Sequence, residues 1–117
     1  MDVFKKDVQY FIEQIAAEER ERPAIRAAGI AALQRLILTA LDDTGQSGVI
    51  GHFLLGLYNG QGFPFALTSL RALDTALWND CMAVLALDRR PEVEVHEYTE
   101  NGPAIWAQLK KNWGARA

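Results

Sequence analysis

The chain has 117 residues, half of them apolar and 23% charged, with 15 acidic side chains against 12 basic ones and a net charge of −3. This length suits one domain able to bury roughly two-thirds of its unfolded surface, and this composition excludes a disordered or low-complexity tail. The negative balance works against general attraction to nucleic acid or anionic membranes, and a single cysteine, Cys81, excludes an internal disulfide or a cysteine-based metal cluster.

In chain order, Phe4, Val8, Phe11, Ile12 and Ile15 recur at spacings of three and four, which predicts a helix from about Val3 to Arg20 with one apolar face. The run EERER at 18–22 has the mixed charge of a solvated helix end. The opening MDVFKKDVQYF lacks the charged start, apolar run and small-residue cleavage site of a secretion signal, so a cytoplasmic location is expected. Pro23 suits the first turn of a second helix running to about Leu41, with Ile25, Ile30, Leu33, Leu36, Ile37 and Leu41 on its apolar sector. Arg26 falls inside that sector. The strongly apolar stretch from Ile30 to Leu41 contains Gln34 and Arg35 and is too short to cross a bilayer, so no membrane partner is expected.

The segment DDTGQSG breaks the pattern. Gly45 is expected to take the left-handed conformation that ends a helix, and Thr44 or Ser47 to cap a third helix of about Ser47 to Tyr58. His52 points away from that helix's apolar face. Asn59 to Pro64 is loop chemistry, with Phe63 and Phe65 as anchors. A long fourth helix is expected from about Thr68 to Asp88, and Asp74 falls within its apolar stripe of Leu70, Leu73, Leu77, Cys81, Val84 and Leu85. After Pro91, the alternation of Val93 and Val95 with Glu92, Glu94 and His96 predicts one short extended segment near residues 92–98. Asn101-Gly102-Pro103 then opens a last helix with Ile105, Trp106, Leu109 and Trp113 on one face. The expected fold is all-α, a bundle of four or five helices.

Catalytic signatures are sparse. The chain has no glycine-rich phosphate loop, GxSxG elbow or HExxH pair, and Cys81 sits on an apolar face as a small core residue. A carboxylate site remains open if Asp43, Asp74 and His96 converge after folding. No cofactor or metal is expected, and the reading is non-enzymatic. The basic residues are dispersed among the acids, which leaves a small nucleic-acid-binding regulator as the alternative. A protein partner or homo-oligomer is favoured, and Trp106 and Trp113 of the last helix are expected either to form its contact face or to close the core.

The two odd charges need partners. Arg26 and Asp74 are expected to meet each other, or Asp74 to accept hydrogen bonds from the amides at Gly45 to Ser47. Either arrangement makes Asp74 a structural tether whose loss costs about 3 to 5 kcal/mol if the pair is buried. The candidate interaction or tether residues are therefore Arg26, Asp43, Gln46, Asp74, Trp106 and Trp113.

At DTGQS, residues 43–47, and again at FLLGLYNG, LTSLRALD and EVHEY, the chain resembles a family of short uncharacterised bacterial proteins carried on conjugative plasmids and integrative elements. The resemblance covers roughly Ile25 to Tyr98 and implies an accessory protein of mobile DNA, without an assigned activity. Asp43, Thr44, Gly45, Gln46, Ser47, Phe53, Leu54, Leu55, Leu70, Leu73 and Asp74 carry it.

Overall fold

Residues Asp2–Ala40 form one uninterrupted helix, α1, in a computed structural model that describes residues 2–115 and the side chains from Phe4 to Ala115. The two helices expected on either side of Pro23 are thus a single one. Proline inside a helix removes one hydrogen bond and costs about 3 kcal/mol relative to alanine. Here it stands among strong helix formers, EERER before it and AIRAA after it, and no residue nearby supplies a stop. At about 1.5 Å per residue, the 39 residues of α1 span the full 58 Å length of the molecule, whose other dimensions are 29 and 27 Å.

Leu41 to Thr44 turn the chain. The Asp43 amide donates to Asp42 Oδ1 at 2.9 Å, and Thr44 then caps α2, Gly45–Tyr58. The Ser47 amide donates to Thr44 Oγ1 at 3.1 Å and the Thr44 amide to Ser47 Oγ at 3.0 Å, so two amides at the helix start are satisfied reciprocally. Gly45 is the first residue of α2, and no glycine among the described residues has positive φ. The left-handed conformation expected of it is absent because the capping box, rather than a glycine turn, separates the helices.

The single helix expected over residues 68–88 is divided. Leu67–Ala72 form a 3-10 segment, Leu73 and Asp74 are extended, and α3 runs over Thr75–Asp88. Asp74 makes the division: its carboxylate accepts from the Leu77 amide at 2.8 Å, the role of an aspartate at an N-cap and incompatible with a place mid-helix. The extended segment expected near 92–98 is instead a 3-10 turn, Val95–Tyr98, closed by the Glu94 amide donating to Glu97 Oε1 at 3.0 Å. Among the described residues no strand exists for it to pair with, so the alternation only buries Val95. The last helix, α4, covers Gly102–Trp113.

The assembly is an all-α bundle. α3 lies antiparallel on α1, since Arg35 meets Asp80 near one end and Glu18 meets Arg89 and Arg90 near the other. Gly29 permits the crossing: a Cβ there would come within 2.6 Å of Leu87 Cβ. Arg35 grips Asp80 with two bonds, Nε to Oδ2 at 3.1 Å and Nη2 to Oδ1 at 2.9 Å, and this pairing raises the arginine pKa above its usual value. Leu33, Leu36, Ile50, Leu54, Val84 and Leu109 fill the centre.

Cys81 is fully buried there. Burial first, and the negative charge of Asp80 second, push its thiol up to about 12. The thiol is therefore expected to resist iodoacetamide at pH 8 in the folded protein and to react once urea unfolds it. Its protons bind more tightly in the folded state, so its contribution to stability is complete below the unfolded thiol pKa and falls as pH rises through it. Rapid labelling without denaturant, with helical circular dichroism intact, would contradict this placement.

Candidate functional site

The residues singled out from sequence do not form one cluster. Arg26 is exposed and pairs with Glu92, Nε to Oε1 at 3.4 Å, and does not meet Asp74. A charge that fell within the apolar sector of a short helix lies at the rim of the α1 and α3 contact, where its long stem leaves the head in water. Asp74 is also exposed and has a different partner: its own amide donates to Gln46 Oε1 at 2.7 Å, and Gln46 Nε2 donates to Asp74 Oδ2 at 3.4 Å. The amide side chain of Gln46 thus clasps the start of α3 to the start of α2. Asp43 lies on the exposed turn before α2, and no three His, Cys, Asp or Glu among the described residues are placed to hold a metal ion.

This geometry resets the expected cost of losing Asp74. An exposed N-cap is worth about 0.5 to 2 kcal/mol, not the 3 to 5 kcal/mol of a broken buried pair. Asp74→Ala is therefore expected to lower the unfolding free energy by about 1 kcal/mol in urea titration. Asp88→Ala serves as the comparison. Burial, then the neighbouring Glu94 charge, raise the Asp88 carboxyl pKa, so the fold disfavours its ionised form and its removal should not destabilise. A loss above 3 kcal/mol for Asp74→Ala would return Asp74 to the role of a buried tether.

Trp106 and Trp113 turn inward and close the core, the second of the two placements expected of them, rather than presenting a contact face on the last helix. Trp106 is 1% exposed, and its indole N–H donates to the Leu54 carbonyl at 3.3 Å. Trp113 lies half-buried on Gly48 and Gly51 of α2, with its N–H donating to the Ala40 carbonyl at 2.9 Å. His52 fixes the same end of α4 through Nε2 and the Trp113 carbonyl, 2.9 Å apart. Gly48 and Gly51 leave room for the Trp113 ring and the end of α1 leaves the Ala40 carbonyl for its N–H, while the Trp106 N–H reaches a carbonyl within α2.

Two surface features lie together where α3 ends along α1. The first is a cleft of about 110 Å³ floored by Ile25 and Leu87 and walled by Arg22, Arg26, Arg89 and Arg90. Glu18 answers two of these arginines, with Arg90 Nη2 at 2.7 Å and Arg89 Nη2 at 3.9 Å, and Tyr98 Oη receives the Glu92 amide at 3.0 Å. The second is the apolar face of α1 before that point. Phe4 is 74% exposed, Val8 42%, Phe11 65%, Ile12 54% and Ile15 41%. Sequence periodicity identified this face, but as the stripe of a short helix; that nothing in the bundle covers it depends on α1 being 39 residues long and α3 only 14. The arginine cleft was not legible at all, since Arg22 and Arg89 are 67 positions apart in the chain.

Neither the curated proteins nor the solved structures match the chain. The model of a family of unknown function (DUF7673) matches residues 30–114, which take in the last 11 of the 39 residues of α1 and the helices that follow it. The bared face of Phe4 to Ile15 precedes the matched stretch, and the chain belongs to that family.

Proposed function

We propose that the protein is a non-enzymatic protein-interaction domain serving as an accessory component of a bacterial mobile genetic element. The observation that carries the interaction reading is the exposed stripe of Phe4, Val8, Phe11, Ile12 and Ile15 on the projecting half of α1. Large apolar side chains clustered on one helix face and bared to water mark an interaction site more often than an ornament of the surface. The amphipathic-helix mode of recognition uses anchors at these spacings. The mobile-element setting rests on the resemblance carried by Asp43 to Ser47 and Leu67 to Asp74.

Affinity capture from the native host tests the reading directly. The parent chain retains protein partners, its own copies included, and Phe11→Glu with Ile15→Glu loses them while keeping its helical circular dichroism. Equal capture by both chains would refute it.

A second reading, a small nucleic-acid-binding regulator, is favoured by one observation, the four arginines gathered on the cleft between α1 and α3. It expects DNA binding that weakens steeply with salt and is lost in Arg89→Ala with Arg90→Ala.

A further inference from the structure

The stripe on α1 has a continuation. Phe4, Val8, Phe11, Ile15, Glu18, Arg22, Ile25, Gly29, Leu33, Leu36 and Ala40 follow one another at alternating steps of four and three, with a single irregular step at most, along one side of the helix. From Ile25 onward this side is the seam covered by the bundle, with Gly29 seated against Leu87. At Glu18 and Arg22 the seam turns polar, where Arg89 and Arg90 end the cover supplied by α3. From Ile15 back to Phe4 it is apolar again and bare.

We propose that this bare segment is covered by the same segment of a second copy of the chain, the two α1 helices running antiparallel. The inference rests on the interaction reading above and names its partner. Three features select a second copy in this orientation. The seam is self-complementary, because antiparallel overlap centred between Gln9 and Tyr10 sets Phe4 level with Ile15 and Val8 level with Phe11 of the partner, as a two-fold axis requires. The charges agree with it. Lys5, Ile12 and Glu19 lie seven residues apart on one flank, and antiparallel packing faces that flank with its own copy, bringing its basic end toward the acidic end of the partner. The helix dipoles oppose, and the positive start of each helix approaches the acidic stretch around Glu18 of the other.

The area is sufficient for a reversible dimer. With aromatic rings of 150 to 250 Å² at the exposures observed, the stripe offers roughly 500 Å² per copy and about 1,000 Å² per pair, at the lower edge of specific interfaces. A concentration-dependent equilibrium follows, rather than an obligate assembly.

Sedimentation velocity on the whole chain from low to high micromolar concentration is expected to show a monomer–dimer equilibrium. Phe11→Glu places two unpaired carboxylates in the seam and should weaken association at least about 100-fold. Because Phe11 makes no contact with the bundle core, its helical circular dichroism and melting should stay those of the parent. Lys5→Glu is expected to weaken the dimer roughly two- to fivefold, and adding Glu19→Lys to restore it. Since Glu19 also pairs with Arg22 of its own helix at 2.8 Å, the comparison is between the single and the double variant. A parent chain that stays monomeric throughout, or a Phe11→Glu chain that dimerises equally well, overturns the proposal. Failure to restore in the double variant overturns the antiparallel arrangement. A monomeric parent that still captures a protein through the stripe removes the second copy as occupant and leaves the interaction reading standing, whereas a monomer that captures nothing ends both.

Discussion

Trp106→Ala is expected to cost about 3 to 5 kcal/mol of folding free energy, read as a large fall in the urea midpoint with little change in slope. The ring is 1% exposed and lies in the core among side chains of α2 and α4. Its removal forfeits the transfer energy of a large aromatic, leaves a cavity that close-packed neighbours cannot fill, and strips the Leu54 carbonyl of the indole N–H that reaches it. Total stability for a domain of this size is about 5 to 15 kcal/mol, so the variant should sit near the edge of folding at 37 °C. Trp106→Phe keeps most of the volume and should recover about half of the loss. If Trp106→Ala melts like the parent but loses association, Trp106 belongs to an interface and the inward placement is wrong.

The second large effect is expected at Gly102. The residue is buried where α4 leaves the 3-10 turn, immediately after Asn101, whose φ of 59° is the one positive value among the described non-glycine residues. A Cβ on Gly102 would stand 1.8 Å from the His96 carbonyl oxygen and 2.8 Å from its carbon. Both obstructing atoms are backbone, so no side chain can swing aside. Gly102→Ala must displace either the start of α4 or the turn that holds Val95 in the core, and overpacking of this kind costs about 1 to 3 kcal/mol or more. Gly45→Ala is the matched control, because a Cβ there meets nothing within 4 Å. Thermal unfolding should separate the two by several degrees, with Gly102→Ala the lower; equal melting would mean the close approach at His96 does not exist.

Much of the local structure was legible from residue order alone. The periodicity of three and four located every α-helix to within a few residues of one end, the Thr44 and Ser47 cap was visible as side-chain chemistry, and Cys81 read as core. These are properties of near neighbours in the chain, for which spacing and propensity carry the information. Where signals of equal local strength competed, residue order was misleading. Pro23 marks a helix start on propensity, yet the packing of residues 25–40 against α3 and the strong helix formers before it carry α1 straight through. Asp74 fits an apolar stripe by periodicity, yet its carboxylate is committed to the Leu77 amide and its own amide to Gln46. Val93 and Val95 alternate as in a strand, but a ladder needs a second strand, and a bundle supplies none.

The partners of charged and aromatic side chains were decided only by the tertiary structure. Arg26 finds Glu92 rather than Asp74, and Trp113 finds Ala40 across 73 residues, because such pairings depend on how helices cross, which spacing within a helix does not encode. The same reason governs the surface. An apolar face on α1 was apparent in the sequence, whereas its cover ends at Glu18 because α3 ends at Asp88 and its following arginines turn back onto that glutamate. Amphipathicity states that a face must be buried; only the length and position of its neighbour determine whether this chain can bury it unaided.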